Sequence, residues 1–195
     1  MKLRYLIYVM LLPLSACASF QSYGNCDVAR TSGVPILQPA AFARHLISTQ
    51  QVSINSEQGN FEFISQLEVS RDKLTLVALT PIGQKLFQIQ YQPQLMNFER
   101  FGIPDSFDPV YLLGDISLIY ADDATLNRCF AAAKLNMQVS SKPTPQHTVV
   151  RHVKVDATSV RIEYSTQDPW QSAIELHNPM RGYTLKVKPL ALETL

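Results

Sequence analysis

Across residues 43–101 apolar and polar side chains alternate with a period of two, the pattern of antiparallel strands with one dry and one wet face. In residues 59–70, Phe61, Phe63, Leu67 and Val69 alternate with Glu62, Gln66 and Glu68. In residues 84–92, Phe87, Ile89 and Tyr91 alternate with Gln88, Gln90 and Gln92. Between them residues 74–79 are apolar on both faces, as for a strand covered on both sides, and end in the turn Thr80-Pro81-Ile82-Gly83. Ser56-Glu57-Gln58-Gly59 and Ser70-Arg71-Asp72 supply further turns, so the first half predicts a curved antiparallel meander.

The period changes at Asp108-Pro109, where Asp caps a helix and Pro suits its first turn. Leu112, Ile116 and Ile119, flanked by Leu113 and Tyr120, recur at spacings of three and four and predict a helix over residues 110–121. Gly114 inside it costs about 1 kcal/mol against alanine. A second short helix is predicted over 126–134, carrying Cys129. After Pro143-Thr144-Pro145, strands resume over 148–155, 160–165, 173–177 and 182–188. The order strands, helices, strands predicts an α+β fold: one curved antiparallel sheet, or incomplete half-open β-barrel, with the helices as plug or lid.

The N-terminus has its own grammar. Met1-Lys2-Leu3-Arg4 is followed by an apolar run over residues 5–12 and by Pro13-Leu14-Ser15-Ala16-Cys17. This reads as a secretory signal, the run falling well short of the roughly 20 residues that span a bilayer. Leu14-Ser15-Ala16-Cys17 resembles the bacterial lipobox, which implies cleavage after residue 16 and a lipid-bearing Cys17. Three acyl chains would exceed the two-signal requirement for stable anchoring. Ala18 and Ser19 follow, with no Asp retention signal, so the same resemblance implies the periplasmic face of the outer membrane in a Gram-negative bacterium. Residues 17–35, small and polar with Gly24, Asn25, Gly33 and Pro35, are expected to be the lipidated cysteine and a flexible tether. Residues 36–195 are then a single domain.

The formal charge of +1 falls by two when Lys2 and Arg4 leave with the signal, so nothing favours nucleic acid as a partner. With Cys17 taken by lipid, Cys26 and Cys129 remain as an even pair in an oxidising compartment: a disulfide, or two buried thiols. The chain has no Gly-x-Ser-x-Gly, His-Glu-x-x-His, phosphate-binding glycine loop or Cys-x-x-Cys, so no enzyme, cofactor or metal is expected. His45, His147, His152 and His177 read as surface residues, His147 and His152 being on opposite faces of a regular strand. Asp115 reads as a helix-surface carboxylate and Asp122–Asp123 as a helix-end turn. Trp170 reads as cover for a sheet edge.

At residues 76–91, Leu-Val-Ala-Leu-Thr-Pro-Ile-Gly-Gln-Lys-Leu-Phe-Gln-Ile-Gln-Tyr, the chain resembles the LolB family of outer-membrane lipoproteins, which receive other lipoproteins from a periplasmic carrier, LolA. The hairpin over 149–164 and the tail over 173–188 extend the resemblance. Blocks such as Leu-Thr-Pro-Ile-Gly-Gln at 79–84 and Tyr-Leu-Leu-Gly-Asp at 111–115 are similar to those of small, functionally uncharacterised LolB-like lipoproteins, some accompanying aryl polyene biosynthesis genes. The resemblance implies a half-barrel whose cavity takes acyl chains or lipoprotein cargo, passed on by a LolA-like carrier. The cavity is expected to be lined by Phe61, Phe63, Leu76, Phe87, Ile89, Tyr91, Leu112, Leu113, Ile116, Ile119 and Tyr120. The same residue types suit a filled core, and sequence does not separate the two. Ile82 matches the apolar tip that LolB uses to push cargo into the membrane; the other reading is a buried turn residue. Residues 110–120 lack the tryptophan-bearing LolB helix. The alternative function is a structural or assembly lipoprotein that docks a partner complex, such as one making an aryl polyene.

Overall fold

The computed structural model describes residues 19–57, 59–104, 107–146 and 148–195; the signal segment, Cys17 and His147 lie outside them. Three short strands come first: β1 (Phe20–Tyr23), β2 (Cys26–Ala29) and β3 (Pro35–Leu37). The expected meander follows as β4 (Leu46–Ser56), β5 (Gly59–Val69), β6 (Leu74–Leu79), β7 (Lys85–Gln92) and β8 (Leu95–Arg100). Helices α1 (Pro109–Tyr120) and α2 (Asp123–Ala132) lead to β9 (Met137–Lys142), β10 (Val149–Val155), β11 (Thr158–Tyr164), β12 (Ile174–Asn178) and β13 (Tyr183–Thr194).

Strands β4 to β13 form one antiparallel sheet in the order β8-β7-β6-β5-β4-β13-β12-β11-β10-β9. Its centre is the pairing of β4 with β13, the longest strand, which runs from Tyr183 opposite Ser56 to Thr194 opposite Leu46 with one register shift between Pro189 and Ala191. The edge strands β8 and β9 do not pair, so the curved sheet stays open. The two helices connect these edges and occupy the sheet's apolar face, giving the expected α+β half-barrel.

Both helices begin on aspartate. The Asp108 side chain accepts from Val110 N at 2.9 Å ahead of Pro109, and Asp122 accepts from Thr125 N at 2.8 Å. Asp122–Asp123 is therefore a helix start, which sets α2 three residues earlier than its periodicity implied. The C-terminus of α1 is closed by Arg151, which is 6% exposed. Its Nη1 donates to Leu118 O and Ile119 O at 2.5 and 3.2 Å, while Nη2 pairs with Asp123 at 3.0 Å. A buried cation is tolerated here because it meets unpaired helix carbonyls and a carboxylate together. Strand β9, unforeseen in the sequence, is clamped by Asn127, whose side chain accepts from Val139 N and donates to Val139 O.

The largest correction concerns the tether expected over residues 17–35. From Phe20 onward this stretch is a packed three-stranded sheet in which Cys26, Ala29, Val34, Ile36 and Leu37 are buried. It folds because α1 has apolar residues on all sides: eleven of its twelve residues are buried, so the face turned away from the large sheet also needs cover. Several long-range links hold it. Cys26 and Cys129 of α2 are joined by a disulfide with Cα atoms 5.4 Å apart. Buried Asp27 accepts from Tyr91 Oη at 2.8 Å, Gln38 Nε2 at 2.9 Å and Gln94 N at 2.5 Å. Leu37 N donates to Ser117 Oγ in α1 at 2.9 Å.

Gly114 shows how closely β3 and its approach lie on α1: a Cβ added there would stand 2.5 Å from Val34 Cγ1. Glycine is retained against helix propensity to allow this approach. Gly114→Ala is expected to lower stability by about 1–3 kcal/mol through overpacking, despite a propensity gain of about 1 kcal/mol. Adding Val34→Ala should recover part of the loss in a double-mutant cycle read by urea unfolding. A stabilised single variant would refute the contact.

Candidate functional site

The open end of the sheet follows from strand register. Leu79 pairs with Lys85, Phe87 with Arg100, and Tyr183 with Ser56. The β4–β5, β6–β7 and β12–β13 turns and residues 101–104 therefore share one end. There a cavity of about 290 Å³ opens between the sheet and the first two turns of α1. Phe61 and Phe63 of β5, Leu86 and Phe87 of β7 and Leu185 of β13 line its sheet side. Tyr111, Leu112 and Asp115 line the helix side, with Ile103 and Phe107 from the approach to α1. Edge-on and tilted ring contacts fix its floor: Phe63 to Phe87 at 5.6 Å between centroids and Phe87 to Phe107 at 4.9 Å.

Deeper in, a crevice of about 20 Å³ remains beside Leu76, Ile116, Ile119 and Tyr120. Such a space holds about one water. The eleven residues expected to line one large cavity thus divide three ways. Phe61, Phe63, Phe87 and Leu112 face the open cavity; Leu76, Ile116, Ile119 and Tyr120 face only the crevice. Ile89, Tyr91 and Leu113 face neither and are fully buried core. Tyr91 instead anchors the N-terminal strands through Asp27 and an edge-on contact with Phe20 at 6.0 Å. The deep interior closed because aromatic groups fill it: Tyr120 stacks on buried Trp170 at 4.0 Å and accepts from Gln50 Nε2 at 2.7 Å. Trp170 is thus core rather than cover for a sheet edge.

Ile82 is 82% exposed at the cavity's end of the sheet, so it is not a buried turn residue. Its turn is rigid: Thr80 N donates to Gln84 O at 2.8 Å, Gly83 N to Thr80 O at 2.9 Å, and Gly83 has a φ of 86° that favours glycine. Phe101, 58% exposed, follows β8 at the same end, with Lys85 Nζ 5.1 Å from its ring centroid. Of the cavity's own lining, Phe61 and Tyr111 reach the surface, at 39% and 37% exposed.

One polar cluster interrupts the apolar wall. Asp115, read from sequence as a surface carboxylate, is 2% exposed. Its Oδ2 accepts from the Tyr183 hydroxyl, and Arg181 Nη1 stands 3.7 Å from its Oδ1. The Arg181 guanidinium lies 4.0 Å over the Tyr111 ring. Burial raises the Asp115 pKa to about 6 against the lowering effects of the Tyr183 hydrogen bond and the Arg181 charge. Burial and the neighbouring Asp115 charge push the Tyr183 phenol up as well. The sequence held a signal for Asp115: it stands three residues after Leu112 and four before Ile119, inside the apolar stripe. Arg181 and Tyr183 come from a turn and a strand start far away in the chain and carried none. His45, His152 and His177 are exposed, and no metal-binding cluster occurs among the described residues.

Residues 48–191 match the family model described as "Protein of unknown function (DUF3261)". The chain belongs to this family. The DUF3261 match runs from β4 through most of β13, so it spans the whole large sheet and both helices and begins after the N-terminal strands. No curated protein sequence matches this DUF3261 chain. Among solved structures it is similar to a crystal structure from Vibrio parahaemolyticus provisionally described as an outer membrane lipoprotein-sorting protein domain. That likeness has 11% identity and a TM-score of 0.37 and covers 77% of this chain and 85% of the other, too loose an overlap to carry a function across.

Because Asp115 has a folded-state pKa above its unfolded value of about 3.9, folding takes up a proton there. The stabilisation is complete below about pH 4 and is lost as pH rises through about 6. Asp115→Asn, which does not titrate, should gain on the wild type across that window by about 3 kcal/mol, at 1.36 kcal/mol per pKa unit. Urea unfolding at a series of pH values checks this. A wild-type-to-variant difference that stays constant with pH would sink the assignment.

Proposed function

We propose that this chain is a non-enzymatic lipoprotein of the outer membrane, anchored through Cys17 on the periplasmic face, that takes an acyl chain or similarly slender apolar ligand into the cavity beside α1. The observation that carries this reading is the apolar cavity of about 290 Å³ at the end of the sheet that also carries the exposed Ile82 and Phe101. Its size lies at the lower edge of the roughly 300–1,000 Å³ usual for small-molecule sites, which suits one chain rather than three. Burial of methylenes at about 0.8 kcal/mol each supplies the affinity. Ile82 is the proposed insertion tip, entering the membrane interface so that a chain leaves the cavity without crossing water. In the fuller version a LolA-like carrier delivers lipoprotein cargo and this chain passes it to the membrane. The filled deep interior favours a second reading, a docking scaffold for a partner assembly such as one serving aryl polyene synthesis.

Native mass spectrometry of the full chain with Cys17→Ser, purified from a bacterial periplasm, separates the two. Fatty acid, phospholipid or lipopeptide should co-purify, be lost in Phe61→Glu at the mouth and be retained in Ile82→Glu. Ile82→Glu falls on a largely exposed side chain, so its stability should change by less than about 0.5 kcal/mol, and urea unfolding of Phe61→Glu shows whether its loss of ligand occurs in a folded protein. A protein that is empty, and stays empty when offered lipids, leaves the scaffold as the better account.

A further inference from the structure

The Asp115 cluster has a property that a purely apolar cavity would not need. Asp115 Oδ1 is buried in the cavity wall and accepts no hydrogen bond. Arg181 faces it at 3.7 Å, close enough for charge attraction but beyond hydrogen-bonding distance. A buried acceptor left this way is unfavourable, so a carboxylate in such a place calls for a partner. Tyr183 already satisfies the other carboxylate oxygen, and the Tyr111 ring holds the guanidinium from one face. Oδ1 itself is occluded, and a donor entering the cavity meets it through a small turn of the Asp115 side chain.

We infer that the cavity selects amphiphiles with one apolar chain and an uncharged head that both donates and accepts hydrogen bonds, the chemistry of a monoacylglycerol or a fatty-acyl amide. The head donates to Asp115 Oδ1, and its carbonyl accepts from Arg181. An anionic head is disfavoured, because it would set a second negative charge beside the Asp115 carboxylate in a poorly solvated wall while Arg181 neutralises only one. A head with a carbonyl but no donor leaves Oδ1 as it stands. This inference rests on the chain-binding reading proposed above and adds the choice of head group to it.

The test is competition for a fluorescent apolar probe, N-phenylnaphthylamine, bound to the full chain with Cys17→Ser at about pH 7.5. Four ligands of equal chain length are compared: monododecanoylglycerol, dodecanamide, methyl dodecanoate and dodecanoate. The first two should bind at least tenfold more tightly than the last two. In Asp115→Leu the donor preference should vanish and dodecanoate should tighten, since Arg181 is released to meet it. The wild-type ranking alone decides the matter should that variant fail to fold. Equal binding of all four ligands, or dodecanoate binding most tightly, overturns the head-group inference while leaving the cavity as a chain site. Failure of every ligand, methyl dodecanoate included, overturns chain binding itself and this inference with it.

Discussion

Helix α1 has almost no surface it can give to water, and the rest of the molecule is arranged around that constraint. A helix apolar on one stripe is satisfied by one sheet; a helix apolar on nearly every side needs a second layer. The large sheet buries one side with Leu76, Phe87 and Leu185, and the N-terminal strands bury the other with Val34 and Leu37. The contact is close enough that only glycine fits at position 114. The disulfide between Cys26 and Cys129 and the hydrogen bonds collected by Asp27 make this second layer permanent. Closing a loop of about 100 residues, the disulfide alone is worth about 4–5 kcal/mol in the chain-entropy account.

The same constraint explains where polar groups are allowed inside. Arg151 is buried because α1 ends against β10 and its last carbonyls need donors. Gln50 is buried because Tyr120 and Ser48 answer its amide. In both places the polar group is fully matched, and no more than the 20 Å³ crevice beside Gln50 is left open. At Asp115 the matching is incomplete, and there the packing opens into a cavity. Buried acceptors without a partner occur elsewhere too, at Thr75 and Asn178, but Asp115 is the one of them that lines the 290 Å³ cavity.

How much was legible in the sequence divides along physical lines. Period-two alternation located β5, β7, β10, β11 and β12 within a residue or two, and Asp108-Pro109 marked the start of α1, because these signals are local. The N-terminal strands were misread because Gly24, Asn25 and Gly33 carry linker chemistry, while the residues that pack, Phe20, Val34 and Ile36, are too few to show a period. Only α1's need for cover on its far side calls for them, and that is a tertiary demand. The cavity was partly legible: inward-facing Phe61, Phe63, Phe87 and Leu112 line it, yet equally apolar Ile89 and Leu113 are sealed in core. Residue type sets which side a group faces; volume left unfilled is a property of the assembled whole. Asp115 reads as a surface carboxylate for want of a partner carboxylate in the sequence, against its own place in the helical stripe.

The loss of the tether has a geometric consequence. Phe20 is already packed against Tyr91, and Tyr91 lies at the opposite end of β7 from Ile82. Cys17 precedes Phe20 by three residues, a reach of at most about 11 Å in any conformation. From Tyr91 back to Lys85 the strand spans about 20 Å, and the Ile82 turn lies beyond. On the proposed anchoring at Cys17 and insertion of Ile82, a domain leashed so briefly at one end cannot stand upright on the bilayer and also dip its far end into it. For a chain anchored at Cys17, both contacts are met when the molecule reclines with β6 and β7 running along the membrane plane, so that the mouth opens sideways across the lipid surface rather than toward the periplasm.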